Sequence, residues 1–274
     1  MRGWGSRAGC IPEGAGASCY DARPVTADEL TSDAITAGFR LLQRRRGHRF
    51  SIDDLATAWE GARARPDATS LLDLGCGVGS VLLMVAWRLP TARVFGVEAQ
   101  EVSFALARRN VDANGLAART TLLHGDLREV TRAWPHGACE LVTGTPPYLP
   151  PGTALASPDP QRAAARLELR GGVEDYLAAA ARVLAPEGRV VVCADGRAPD
   201  RVLRGAAAAG LTPRRRLDVM ARAGAPGPLF SVWTCARAGA PPDLAVEVAR
   251  IVMRDAQGAR TEASADMRRF FGLG

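Results

Sequence analysis

The chain has no lysine. All 35 of its basic residues are arginines, set against 29 acidic ones, for a net charge of +6 over 274 residues. A GC-rich codon bias accounts for such arginine use by itself. The planar guanidinium fork also suits phosphate, because it bonds two oxygens at once. Two clusters, Arg44-Arg45-Arg46 with His48 and Arg49, and Arg214-Arg215-Arg216, therefore keep a nucleic-acid partner open. Charge alone does not choose between a binding patch and a solvated face. Cysteine is scattered: Cys10, Cys19, Cys76, Cys139, Cys193 and Cys235 form no C-x-x-C pair, and His48, His124 and His136 stand at no ligand spacing from them. Neither a metal site nor a disulfide framework is expected. No run of about 18 apolar residues is present, which excludes a membrane-spanning helix, and Met1 to Cys19 lacks the apolar stretch of a secretory signal. The expectation is a soluble, cytoplasmic protein without a membrane partner, of undetermined oligomeric state.

With 47% hydrophobic residues, the chain has ample material for a core. Residues 1–30, rich in Gly, Ala, Ser and Asp without periodicity, read as a flexible N-terminal extension. Residues 31–66 form a preceding segment, in which Phe39 to Ser51 predicts two short strands around a turn at Gly47 and Asp53 to Arg63 a helix. From residue 67 to 274, apolar β-type runs alternate with helical spacing. Strands are predicted at Ser70–Leu74, Ala92–Glu98, Thr120–His124, Cys139–Gly144, Arg189–Ala194, Leu217–Met220 and Phe230–Arg237, with helices at Val81–Arg88, Glu101–Asn114, Val173 to Leu184 and Arg201–Ala209. Alternation of this kind means an α/β fold: a Rossmann-like, mostly parallel seven-stranded sheet with helices on both faces. In such folds ligands bind outside the carboxyl ends of the strands, near the point where strand order reverses. The turns that follow strands therefore matter most.

The first such turn is Asp73-Leu74-Gly75-Cys76-Gly77-Val78-Gly79-Ser80. Its glycines allow a tight bend and let a ligand lie against the backbone. The dinucleotide pattern has Gly or Ala at its sixth position, but Ser80 stands there and the third glycine comes one residue early, and a pyrophosphate would gain nothing from Asp73. A sulfonium and an ammonium would, by plain charge pairing. Glu98 ends the next strand and is placed to bond a ribose diol. Gly125-Asp126 after the third strand offers a carboxylate to an exocyclic adenine amine. Gly75, Gly77 and Gly79 with Asp73, Glu98 and Asp126 thus read as an S-adenosylmethionine site.

The fourth strand ends in Thr145-Pro146-Pro147-Tyr148. Two prolines stiffen the backbone and remove two amide donors, so the local carbonyls are presented outward. Tyr148 adds a flat face for a planar group. An exocyclic amine held by acceptors can attack a sulfonium methyl without a strong base, because alignment dominates.

The glycine turn resembles the D-x-G-x-G-x-G motif of class I S-adenosylmethionine-dependent methyltransferases, and T-P-P-Y resembles the N-P-P-Y of amino-methyltransferases. Gln43 to Asp53, Ala107–Gly115, Arg166–Glu168 and Asp255–Gly258 extend the likeness, over about residues 38–272, to bacterial tRNA adenine-N6 methyltransferases, which modify the adenine beside the anticodon of a valine tRNA. The resemblance implies a tRNA or other structured RNA as substrate. It also implies Ser51 and Asp53 near the cofactor's methionine end, and Arg44, Arg45, Arg46 and Arg49 at the substrate entrance. Thr145 departs from the family's Asn: a shorter, branched hydroxyl replaces a carbonyl acceptor. That leaves adenine methylation with altered geometry, another acceptor such as a protein glutamine or guanine N2, or binding without turnover.

Overall fold

A computed structural model describes residues 29–153, 155, 157–239 and 245–274. The expected N-terminal extension lies outside the described residues, except for its end at residues 29–30. The chain opens with an antiparallel hairpin of β1 (Leu30–Ala34) and β2 (Arg40–Arg44), followed by α1 (Ile52–Ala64). An alternating series follows: β3 (Ser70–Leu74), α2 (Ser80–Arg88), β4 (Arg93–Glu98), α3 (Glu101–Ala113), β5 (Thr120–His124), α4 (Leu127–Val130) and β6 (Cys139–Gly144). After α5 (Pro160–Arg166) and α6 (Val173–Val183) come β7 (Leu184–Ala194), α7 (Pro199–Ala208), β8 (Leu211–Met220), β9 (Phe230–Arg237), β10 (Glu247–Val252) and α8 (Glu262–Arg269).

The central sheet runs β10-β8-β9-β7-β6-β3-β4-β5, with β9 antiparallel to its two neighbours and every other pairing parallel. It is a Rossmann-like α/β sheet with helices on both faces, and it has eight strands rather than the expected seven. The extra strand, β10, carries the exposed Glu247 and Val248 and pairs only with β8, so its weak apolar alternation hid it. Along the central strands, successive residues enter opposite cores, as parallel strands covered on both faces must. Leu71, Val191 and Cys193 join α1, α2 and α3 on one side, while Leu72, Val190 and Val192 join α6 and α7 on the other. Among the described residues no helix is long and apolar enough to cross a membrane.

The hairpin corrects the expected strand pair. The partner of β2 precedes it, at Leu30–Ala34, and the arginine turn follows β2 instead of joining two strands. Asparagines of α3 seat this hairpin. Asn110 Oδ1 accepts from Leu42 N (2.7 Å) and its Nδ2 donates to Leu42 O (2.9 Å). One helical turn later, Asn114 pairs in the same way with N and O of Arg40, at 2.8 Å each. Four helical residues rise about 6 Å and two strand residues about 6.6 Å, so the two amides match alternate residues of β2 like a neighbouring strand. Asn110 Nδ2 also donates to Val78 O of the glycine turn (2.8 Å). At the far end, Ala37 N donates to Phe271 O, tying the C-terminal segment to the hairpin.

Asn110 is fully buried. Asn110→Ala is expected to strand the Leu42 and Val78 groups and lower the unfolding free energy by about 2–4 kcal/mol in urea titrations. Asn114→Ala, at an exposed contact, is expected to cost under about 1 kcal/mol. Equal effects would show that the hairpin is not held as described.

Candidate active site

Strand order reverses between β3 and β6: the chain proceeds outward through β4 and β5, then returns to the other side of β3. A cleft opens there at the carboxyl ends of the strands. Its wall includes Gly75, Cys76 and Gly77 after β3, Glu98 of β4, Asp126 after β5 and Thr145 after β6.

The glycine turn is bent as its composition demands. Gly75 and Gly77 sit at φ +60° and +57°, a region that side chains with a Cβ rarely adopt. Any Cβ on Gly75 would collide with the Tyr176 hydroxyl of α6, whose ring also packs against Gly144. Cys76 N donates to Val97 O (2.9 Å), locking the bend to β4. Glu98 accepts from Gly77 N (2.9 Å) and Gln100 N (2.6 Å), so its carboxylate spans the turn and the start of α3. Burial raises its pKa, against the lowering effect of those amides. Asp126 caps α4 and is gripped by Arg128, which holds its carboxyl below the usual range.

Not every expected residue reaches the cleft. Asp73, 2% exposed, stands behind the turn and accepts from Thr143 Oγ1 (2.8 Å). Gly79 is likewise off the wall, whereas Ser80 lines it. Ser51 and Asp53 bond one another outside the cleft, and Asp53 also accepts from the Tyr148 hydroxyl (3.3 Å). The neighbouring Asp54 faces the cavity instead, because the first turn of α1 rotates it inward: it accepts from Ser80 Oγ (3.0 Å) and Ser51 N (2.9 Å). Burial, with Asp53 and then Asp73 adding to it, pushes the Asp54 carboxyl up to about 8. Burial also pushes Asp73 up to about 7.

In the proline loop, Thr145 and Pro147 line the cleft while Pro146 is buried behind them. The ring of Tyr148 does not present its face there. It packs against the core, with its hydroxyl on Asp53 and on Cys193 Sγ, because β7 leaves room for it beneath the loop. The loop is braced from outside: Leu149 N donates to Arg166 O (3.2 Å), Leu149 O accepts from Glu168 N (2.9 Å), and Arg201 clamps Glu168 and Glu174.

The arginine turn divides into two kinds. Arg44 pairs with Asp159 (2.9 Å) and Arg49 with Asp33 (3.0 Å), so both are committed to holding the fold. Arg45 and Arg46 are exposed. Gln161 of α5 bonds Arg44 and His48 N, and Arg162 Nε reaches Gly47 O, which sets α5 on the turn. Exposed Arg162, Arg166 and Arg170 thereby join Arg45 and Arg46 on this side of the molecule, and Arg170 lines the cleft itself. Sequence reasoning also missed His48, Phe50, Ser103 and Tyr176 as wall residues. Only Ser80, directly after the glycines, carried a local signal.

Residues 71–151 match the family description "Methyltransferase domain". The chain is 31% identical over 141 residues to a tRNA1(Val) (adenine(37)-N6)-methyltransferase of Porphyromonas gingivalis, covering 50% of this chain and 54% of that protein. It is 38% identical over 121 residues to a release factor glutamine methyltransferase of Caulobacter vibrioides, covering 44% and 40%. The chain thus spans about half the length of the curated relatives it matches. Its fold is similar to that of a predicted O-methyltransferase of Agrobacterium tumefaciens, with TM-score 0.57, 18% identity and coverage of 81% of this chain and 98% of the other. A parallel sheet with reversed strand order and a left-handed glycine turn agree with these matches: residues 71–151 resemble a methyltransferase domain, the fold is similar to that of methyltransferases, and the sequence is similar to the tRNA1(Val) adenine-N6 methyltransferases.

Proposed function

We propose that the protein transfers a methyl group from S-adenosylmethionine to an exocyclic amine, with adenine N6 of a tRNA or other structured RNA as the favoured acceptor. The observation that carries this reading is the meeting of Asp54, Glu98, Asp126 and Thr145 in one cleft at the sheet's switch point. The cofactor fits the donor set. Gly77 leaves its Cβ position open, carboxyls from α1 and β4 stand where cationic groups are favoured, and Asp126 offers an acceptor to an amine. When bound, it supplies a methyl carbon made electrophilic by the sulfonium. The protein's own residues do the rest. Asp54 ionises to face the cation, Glu98 holds the ribose end against the turn, and Thr145 with the rigid Pro146-Pro147 backbone accepts hydrogens of the acceptor amine and fixes its approach.

The RNA reading draws support from the relatives and from the arginines. Arg45, Arg46, Arg162, Arg166 and Arg170 are exposed, whereas Arg44 and Arg49 are ion-paired. A second reading, methylation of a protein glutamine, is favoured by the similarity to release factor methyltransferases. The cell's cytoplasm is the compartment proposed for either reaction.

Incubating the protein and methyl-tritiated S-adenosylmethionine with total RNA and protein from a deletion strain is the direct test. Label in tRNA, recovered as N6-methyladenosine by mass spectrometry, is the expected result. Label in a peptide glutamine would select the second reading, and no label in either pool would overturn both.

Asp54 sets a pH signature. Its carboxyl lies at about 8 in the fold against 3.8 unfolded, and Asp73 at about 7. Between those limits the folded chain keeps protons that the unfolded chain has released, so stability falls as pH rises through this window. Calorimetry should show the melting temperature declining from about pH 5 to about pH 8. Asp54→Asn is expected to flatten that decline and to weaken S-adenosylmethionine binding about 10-fold or more, as loss of a buried charge partner costs at least about 1.4 kcal/mol. A variant that binds normally would remove Asp54 from the cofactor site.

Binding of tRNA should fall steeply with salt, and charge reversal of Arg45 and Arg46 together should weaken it and flatten the salt slope by about 2. An unchanged slope would place the phosphate contacts elsewhere.

A further inference from the structure

The cleft has one ionisable wall residue with no part in the site so far. His48 follows the arginine turn, is half-buried, and faces the same cavity as Thr145, Pro147 and Phe50. Its backbone N–H is spent on Gln161 Oε1 (3.3 Å), which orients the residue, but its imidazole makes no hydrogen bond within the described residues. Two ring nitrogens are therefore left for whatever enters. The other ionisable wall groups are engaged or unsuited to this role. Glu98 and Asp126 are bonded to amides and to Arg128, Asp54 is bonded to Ser80 and Ser51 N, and Arg170 carries a fixed positive charge.

The chemistry leaves a matching gap. An amine that attacks carbon presents two hydrogens, and one of them must leave as a proton. Thr145 offers a single hydroxyl and the proline loop only backbone carbonyls, none of which can keep a proton. We propose that His48 is a catalytic residue, the proton acceptor for the amine substrate, in the cleft whose wall it shares with Thr145. The inference rests on the methyltransferase reading above. In the step, the amine nitrogen forms its bond to the methyl carbon as the carbon–sulfur bond breaks with its electron pair on sulfur. The hydrogen of the amine passes as a proton to the free imidazole nitrogen, and solvent takes it from there.

The surroundings keep the imidazole in its accepting form. Desolvation comes first in lowering its pKa; Asp53 of α1 opposes this, while Arg162 and Arg166 of α5 reinforce it, and the net direction is below the ordinary 6.5. Asp54, Glu98, Asp126 and Arg170 are the other carboxyl and guanidinium groups on the cleft wall, and Cys76 and Tyr176, whose pKa values burial raises, stay neutral there. His48 is thus uncharged at neutral pH and becomes charged, and inactive as an acceptor, as pH falls through its depressed value.

Two measurements on the full chain test this. With only three histidines in the sequence, imidazole NMR of the wild type and of His48→Gln identifies the His48 signals, and their pH titration should give a midpoint below 6.5. Single-turnover methyl transfer to the acceptor pool, at saturating S-adenosylmethionine, should show an acid limb at that same midpoint. His48→Gln keeps a hydrogen-bond acceptor but cannot hold the proton. It should slow transfer on the order of 100-fold, abolish that limb and leave calorimetric affinity for S-adenosylhomocysteine unchanged. A His48 midpoint at or above 6.5, or a variant that keeps both rate and limb, would overturn the assignment while leaving the methyltransferase reading intact. A wild type that labels neither RNA nor protein would bring down that reading, and this one with it.

Discussion

Two side-chain amides hold the ligand side of this molecule together. Asn110 and Asn114, one helical turn apart, pair with alternate residues of β2 and so fix the N-terminal hairpin to α3. Asn110 reaches Val78 O with the same nitrogen and thereby joins the hairpin to the glycine turn. Everything that lies between hairpin and sheet depends on that register: the arginine turn, His48, Phe50 and the first turn of α1 with Asp54. A buried amide with all its partners is strongly directional, because any shift leaves a donor or acceptor unmet in a low-dielectric interior. The cleft wall contributed from outside the Rossmann-like sheet is for this reason as well defined as the wall made by strand ends.

The second organising constraint is electrostatic. Asp54 and Asp73 are buried close enough for each to feel neighbouring carboxyls, and their protons are held well into the neutral range. Such a site is costly to maintain without a cation, and it favours one that arrives. Glu98 shares the arrangement but is tempered by two amide donors. Exposed Arg45, Arg46, Arg162 and Arg166 lie on the turn and on α5, while Arg170 lines the cleft and acts on Glu98 and Asp126 there. A cationic cofactor and a polyanionic acceptor would each meet complementary charge without competing for the same residues.

Much of this was legible from residue order. Glycines at Gly75 and Gly77 announced a left-handed bend, and the alternation of strands and helices announced a parallel sheet covered on both faces. The acids at the ends of β4 and β5 were found because strand ends converge by topology. What escaped was set by phase or by distance. Asp53 and Asp54 are adjacent carboxylates at a helix start, and only the rotation of α1 against Ser80 selects the second. Tyr148 has the same composition whether it faces a ligand or a core; the space beside Cys193 turned it inward. Asp73 reads as a ligand-facing acid, yet the alternation of β3 points it at Thr143. β10 lacked apolar alternation and formed because β8 presented an open edge.

The sequence by itself determined the α/β class, the position of the strained turn and the chemistry gathered at the strand ends, since these follow from periodicity, from glycine's freedom at positive φ and from the local order of residues. Only tertiary structure decided which arginines are bound into ion pairs and which stay exposed, which of two adjacent aspartates faces the cavity, and that His48 shares a cleft wall with Thr145. Those outcomes come from contacts between segments far apart in the chain, such as Arg44 with Asp159 and Gly47 with Arg162. Burial and partner geometry act there through space, and neither is encoded in any window of neighbouring residues.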